Sequence, residues 1–134
     1  MGVCVRIYVN ESDTWHGRPL GLAILDRLRE LGCAGATLVR GSAGFGAHGK
    51  IHTGTLVDVT PPLPLVVEWV DSAESVDRAL PAVLPMVPEG LVIRFPVAIV
   101  QATRRALPAL PSGTHVATVM TRDVVTARPG TPLR

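Results

Sequence analysis

A chain of 134 residues has room for one ordinary domain and excludes a two-lobed enzyme with a separate cofactor half. Hydrophobic residues make up 47%, charged residues 18% and aromatics 4%, with a mean hydropathy of +0.34, so the core must be aliphatic and the surface unusually apolar. A formal charge of +2 leaves no electrostatic footprint for nucleic acid, and the apolar excess makes a homo-oligomer the default expectation.

Residues 3–9, "VCVRIYV", alternate Val3, Val5, Ile7 and Val9 against Cys4, Arg6 and Tyr8, the period of a strand with one buried face. A polar turn leads to Pro19, well placed to open a helix. Leu20, Ile24, Leu28 and Leu31, with Leu25 beside them, recur at helical spacing, and Gly32 is expected to end that helix as a left-handed cap. From Ala36 the chain is extended but diluted by glycine, and a segment without periodicity follows. "LPLVVEWVD" reads as a strand with Leu65, Val67 and Trp69 on one face. Asp71 or Ser72 can cap the next helix, with Glu74 at the capping-box spacing from Asp71. Its apolar stripe is Val76, Leu80, Val83, Leu84 and Val87, and Pro81 and Pro85 imply a kink or a break. "LVIRFPVAIV" is a last strand, and Pro96 assigns it to a sheet edge or a bulge.

The order β-α-β-β-α-β in about 100 residues is that of an α+β, ferredoxin-like sandwich: two helices on one face of an antiparallel sheet, with a long loop between its second and third strands. Domain boundaries are expected at residues 1–103 for the sandwich, 104–114 for a Pro/Ala-rich linker, and 115–134 for a further strand-like patch. Two scattered cysteines, Cys4 and Cys33, fit a reduced, cytoplasmic compartment, and no signal peptide is visible. The most apolar window, 79–102, carries Glu89, Arg94 and four prolines, which argues against insertion in a membrane.

"GFGAHG", residues 44–49, matches the G-x-G-x-x-G spacing of dinucleotide-binding loops. That loop requires a helix opening at the third glycine, and "KIHTGTLVDVTPPLP" places Pro61, Pro62 and Pro64 there instead, so the Rossmann reading fails. Two readings of the glycines stay open. Gly41, Gly44, Gly46 and Gly49 can expose successive N–H groups as an anion nest, bracketed by Arg40 and Lys50; or they serve only to bend the chain. His48 and His52 stand four apart but outside any helix, and no neighbouring ligand completes a metal site. No paired carboxylates and no nucleophile–base pair occur at a meaningful spacing, which points away from an enzyme.

"RIYVNES", "AGATLVRGSAGFG" followed by "IHT", "LPLVVEWVDSAESVDRALPAV" and "GLVIRFPVAIV" resemble the PII-like family catalogued as domain of unknown function 190, from about Val3 to Gln101. The resemblance implies a homotrimer with a T-loop, here about Ala47 to Pro62. It also implies an adenine nucleotide or similar small anion as effector, bound between subunits at the base of that loop, and a protein partner such as a membrane transporter. On it, the effector-binding set is Arg40, Gly41, Gly44, Phe45, Gly46, His48, Gly49 and Lys50, with no catalytic residue, no metal and no resident cofactor. The chain departs from PII proteins in having "AHGKIHTG" in place of a Gln-Lys-Gly run, and a short "PEGLVIR" in place of a Gly-Lys-rich phosphate loop. "VATVMTRDVVTARPGTPL" is similar to the opening of a CBS domain, a nucleotide-sensing module. Two alternatives are a trimerising module for CBS sensors with no ligand of its own, and a CutA-like metal-binding trimer.

Overall fold

In the computed structural model of the chain, residues 1–46, 49–53 and 62–103 are described. His48, most of the expected T-loop, the linker and the CBS-like segment lie outside them. Met1–Gln101 forms one compact unit.

The elements, in chain order, are β1 (Gly2–Asn10), β2 (Thr14–Trp15), β3 (Arg18–Pro19), α1 (Leu20–Glu30), β4 (Ala36–Arg40), β5 (Ala43–Gly44), β6 (His52–Thr53), β7 (Pro64–Asp71), α2 (Ala73–Val83), a 3₁₀ turn at Leu84–Met86, and β8 (Leu91–Val97). Four strands form one sheet in the order β4-β7-β1-β8, every neighbouring pair antiparallel. This is the expected ferredoxin-like sandwich: β1 and β4, joined through α1, run in the same direction with β7 inserted between them. β8 occupies an edge, where Pro96 removes no hydrogen bond that a further strand would need.

One face of the sheet carries Val5, Ile7, Val9, Leu65, Val67 and Trp69. It packs against Leu20, Ile24 and Leu28 of α1 and Val76, Ala79 and Val83 of α2. Helix α1 ends as expected. Gly32 is left-handed (φ +74°), its N–H donates to Arg29 O, and Cys33 N–H donates to Leu28 O, which together form a complete Schellman closure. Ser72, not Asp71, caps α2 by accepting the Ser75 N–H at 3.2 Å. Pro81 is accommodated within α2, and the chain breaks into the 3₁₀ turn at Leu84. Leu84, expected on the apolar stripe, is exposed, and Met86 is buried. A two-residue turn at His16 (φ +48°) and Gly17 (φ +76°) closes the β2–β3 ladder just before α1, an element the polar composition of that stretch does not announce.

The opposite face of the sheet has no covering layer among the described residues. It presents Tyr8, Val39, Val66, Val70, Leu91, Ile93 and Phe95 around a central ion pair between Arg6 Nε and Glu68 Oε2. Val39, Val70 and Leu91 are exposed, and the Arg6 guanidinium lies 5.4 Å from the centroid of the Phe95 ring.

Candidate functional site

The glycine run starts where the edge strand ends. Arg40 is the last residue of β4, opposite Leu65 on β7, and the N–H of Gly41 donates to Pro64 O at 2.8 Å. The chain then turns into the β5–β6 hairpin, in which Gly44 pairs with His52 and Ala43 with Thr53. Gly41 and Gly44 both lie on the Pro64 ring: a Cβ on either would come within 2.8 Å of Pro64 Cγ. Close packing therefore accounts for these two glycines. Gly49 has φ +66° and donates its N–H to Gly46 O at 2.9 Å. Gly46 is different, because no described atom stands within 4 Å of where its Cβ would be. Phe45, beside it, is 72% exposed, and Lys50 is exposed. Of the expected set, Arg40 and Gly41 thus stand at the end of β4, Gly41 and Gly44 lie against Pro64, and Phe45, Gly46, Gly49 and Lys50 lie between β5 and β6 of the adjoining hairpin. The amides of Gly41 and Gly49 are engaged internally there, and His48 lies outside the described residues.

Arg40 is not a bare cation. Its Nε lies 2.8 Å from Glu11 Oε1 and its Nη2 donates to Glu11 Oε2 at 3.0 Å, a two-pronged contact of the kind a guanidinium makes with a carboxylate or a phosphate. Hydrogen bonding from Arg40, and secondly from the Leu63 N–H, holds the Glu11 carboxyl below the usual carboxylate range. Within the hairpin, His52 Nδ1 is closed off from solvent and has no hydrogen-bond partner among the described residues. No cluster of three or more metal-ligating side chains occurs among the described residues.

At the other end of β4 an open cleft of about 390 Å³ is lined by Ala34, Gly35, Ala36, Thr37, Glu68, Trp69 and Val70. Its wall is the loop between α1 and β4. Asp71, 7% exposed, anchors that loop: its Oδ2 accepts the Ala34 N–H at 2.7 Å and its Oδ1 accepts the Ser72 N–H at 2.8 Å. Cys33, in the same loop, has a thiol pushed up by burial and then by the nearby Asp71 carboxylate, so it is a poor nucleophile. The cleft escaped sequence reasoning because its residues are small and ordinary, and only the register of β4 against β7 assembles them. β4 thus carries a potential binding feature at each end, the cleft at Ala36 and the glycine corner at Arg40. About four residues, or roughly 13 Å of strand, separate them.

The family model for DUF190, described as an uncharacterized ACR, matches residues 2–99. A UPF0166 protein of Aquifex aeolicus is 36% identical over 76 residues, which are 57% of this chain and 72% of the relative. A UPF0166 protein of Methanocaldococcus jannaschii is 30% identical over 90 residues, 66% of this chain and 82% of the relative. Among solved structures, CPII, a nitrogen regulatory PII-like protein from Thiomonas intermedia K12 bound to ADP, AMP and bicarbonate, matches with a TM-score of 0.50 at 22% identity. That match covers 70% of this chain and 83% of CPII, and it is a likeness of fold.

Proposed function

The chain belongs to the DUF190 family, and from that premise we propose that it is a PII-like regulator: a homotrimer that binds an adenine nucleotide in the clefts between subunits and signals its presence to a protein partner. A membrane transporter is the type of partner that the resemblance to PII proteins implies. The observation that carries the reading is the corner at the end of β4. There a forked guanidinium, Arg40, begins a glycine-rich run that within six residues carries an exposed aromatic ring, Phe45, able to stack on a base, and a glycine backbone, Gly46, with no described atom against it. That CPII, with the same fold, holds ADP and AMP supports the choice of ligand. The trimer would use the uncovered sheet face, whose aliphatic and aromatic side chains around Arg6 and Glu68 are what a subunit interface buries. In such a trimer the cleft at Ala34–Thr37 on one subunit and the Arg40 corner on the next can supply opposite walls of one site.

A second reading rests on Pro64. Because two of the glycines are explained by packing alone, the unit can also be a trimerising module without a ligand of its own.

The test is calorimetric titration of AMP, ADP, ATP and cyclic AMP into the wild type and into Arg40→Ala, with the oligomer mass from sedimentation. A trimer that binds at least one nucleotide, with the binding weakened at least tenfold in Arg40→Ala, is the expected result. Binding by none of the four favours the module without a ligand, and a monomer in solution refutes both readings.

A further inference from the structure

One carboxylate holds both ends of the segment that leaves and re-enters the sheet at the glycine corner. Glu11 follows β1. Its Oε1 and Oε2 take Nε and Nη2 of Arg40, the last residue of β4 before the segment. The same Oε2 accepts the N–H of Leu63, just before β7, at 3.2 Å. The Glu11 N–H donates in turn to Leu63 O at 2.9 Å. Arg40 and Leu63 are 23 positions apart in sequence, and Glu11 joins them side by side.

We infer that Glu11 is a built-in stand-in for the effector's phosphate: it occupies the Arg40 fork in the free protein, and an incoming phosphate displaces it and frees the Leu63 amide. The inference rests on the proposed nucleotide site and adds how occupancy is reported. Three features favour exchange over a purely structural clasp. The contact is the two-pronged geometry that a phosphate reproduces with more charge and more acceptor oxygens. Both side chains remain solvent-accessible, 55% for Arg40 and 37% for Glu11, so the pair is screened, modest in strength and reachable by a solute. The carboxylate that leaves is also the acceptor of Leu63, so its departure changes the tether at the far end of the segment without any long-range path. Occupancy of Arg40 and attachment of Leu63 through the Glu11 side chain become mutually exclusive.

The experiment uses the full 134-residue chain, with AMP and ADP as probes in calorimetry on the wild type, Glu11→Gln, Glu11→Ala and Arg40→Ala. It adds amide hydrogen exchange at Leu63 in the wild type with and without AMP. Removing the internal competitor should tighten AMP or ADP about two- to fivefold, the range set by an exposed ion pair. Saturating AMP should speed exchange of the Leu63 amide. Binding by Glu11→Gln where the wild type binds nothing also supports the inference. If the wild type binds, Arg40→Ala does not, and Glu11→Gln binds equally or more weakly, the stand-in is refuted while the nucleotide site stands. An unchanged Leu63 amide in the AMP-saturated wild type refutes it equally. If no variant binds either probe, or Arg40→Ala binds as the wild type does, the nucleotide site at Arg40 falls and the stand-in falls with it.

Discussion

Replacing Asp71 with asparagine keeps the size of the side chain and removes one acceptor at a place where two are used. The carboxylate, almost wholly buried at the end of β7, receives Ala34 N–H and Ser72 N–H on separate oxygens. An amide can accept one of these bonds and must turn its NH₂ toward the other donor. A hydrogen bond to a charged acceptor contributes about 1.5–3 kcal/mol, and the surviving bond loses its charge assistance, a further ~1 kcal/mol. The expected cost is therefore about 2.5–4 kcal/mol. For a compact unit of Met1–Gln101 that corresponds to a fall in Tm of about 10–32 °C, at about 4–8 °C per kcal/mol. Urea unfolding at one fixed protein concentration is the appropriate assay, because self-association would otherwise shift the midpoint. Because Ala34 belongs to the wall of the cleft, whatever the cleft binds should bind more weakly as well. An Asp71→Asn protein whose unfolding free energy lies within about 0.5 kcal/mol of the wild type would refute the view that this carboxylate organises the α1–β4 loop.

Two further perturbations address the glycine corner. Gly44→Ala sets a Cβ 2.8 Å from Pro64 Cγ, an overpacking expected to cost about 1–3 kcal/mol; adding Pro64→Ala removes that ring atom and should recover most of the loss, and equal cost in both backgrounds would show that backbone conformation, not contact, demands the glycine. The Glu11 carboxyl has a folded-state pKa depressed below its unfolded value, so its contribution is fully present above the ordinary glutamate value near about 4.3 and is lost as pH falls through the folded value; the stability difference between the wild type and Glu11→Gln should vanish on that acid side and stay constant from about pH 5 to 7, and a difference that grows on acidification would contradict the Arg40 pairing.

What could be read from the sequence is what local periodicity writes. The alternation of Val5, Ile7 and Val9, that of Leu65, Val67 and Trp69, and the helical spacing of Leu20, Ile24 and Leu28 each name a buried face, and those faces are the core. Gly32 and Pro96 carry their meaning in their own backbone chemistry, so a left-handed helix cap and an edge strand could be anticipated from single residues. Leu84 could not. The buried face of α2 centres on Ser75, Val76, Ala79 and Val83, and at about 100° per residue that arc takes in Met86 and leaves Leu84 on the far side, a centring that the spacing of Val76, Leu80 and Leu84 does not disclose.

The candidate site was half legible for the same reason. Arg40 and Gly46 were nominated by composition and resemblance; Arg40 ends β4, and Gly46 follows the short strand β5 six residues on. What gives them chemical meaning is non-local. The acceptor of Arg40 comes from 29 positions earlier, the ring that demands Gly41 and Gly44 from 20 or more positions later, and the carboxylate that sets the cleft wall at Ala34 from 37 positions later. None of these partners has a spacing that a helix or a hairpin would enforce, and each is fixed only once β7 has come to lie between β1 and β4. The central strand is thus the organiser of the corner. Pro64 at its start supports the glycines, Glu68 in its middle reaches the uncovered face and the cleft, and Asp71 at its end holds the loop that walls the cleft. In the proposed trimer, a ligand bound at either end of β4 would rest against a strand whose other side chains face both the core and the uncovered sheet face. On that reading, the placement would let a small effector be felt beyond its own pocket.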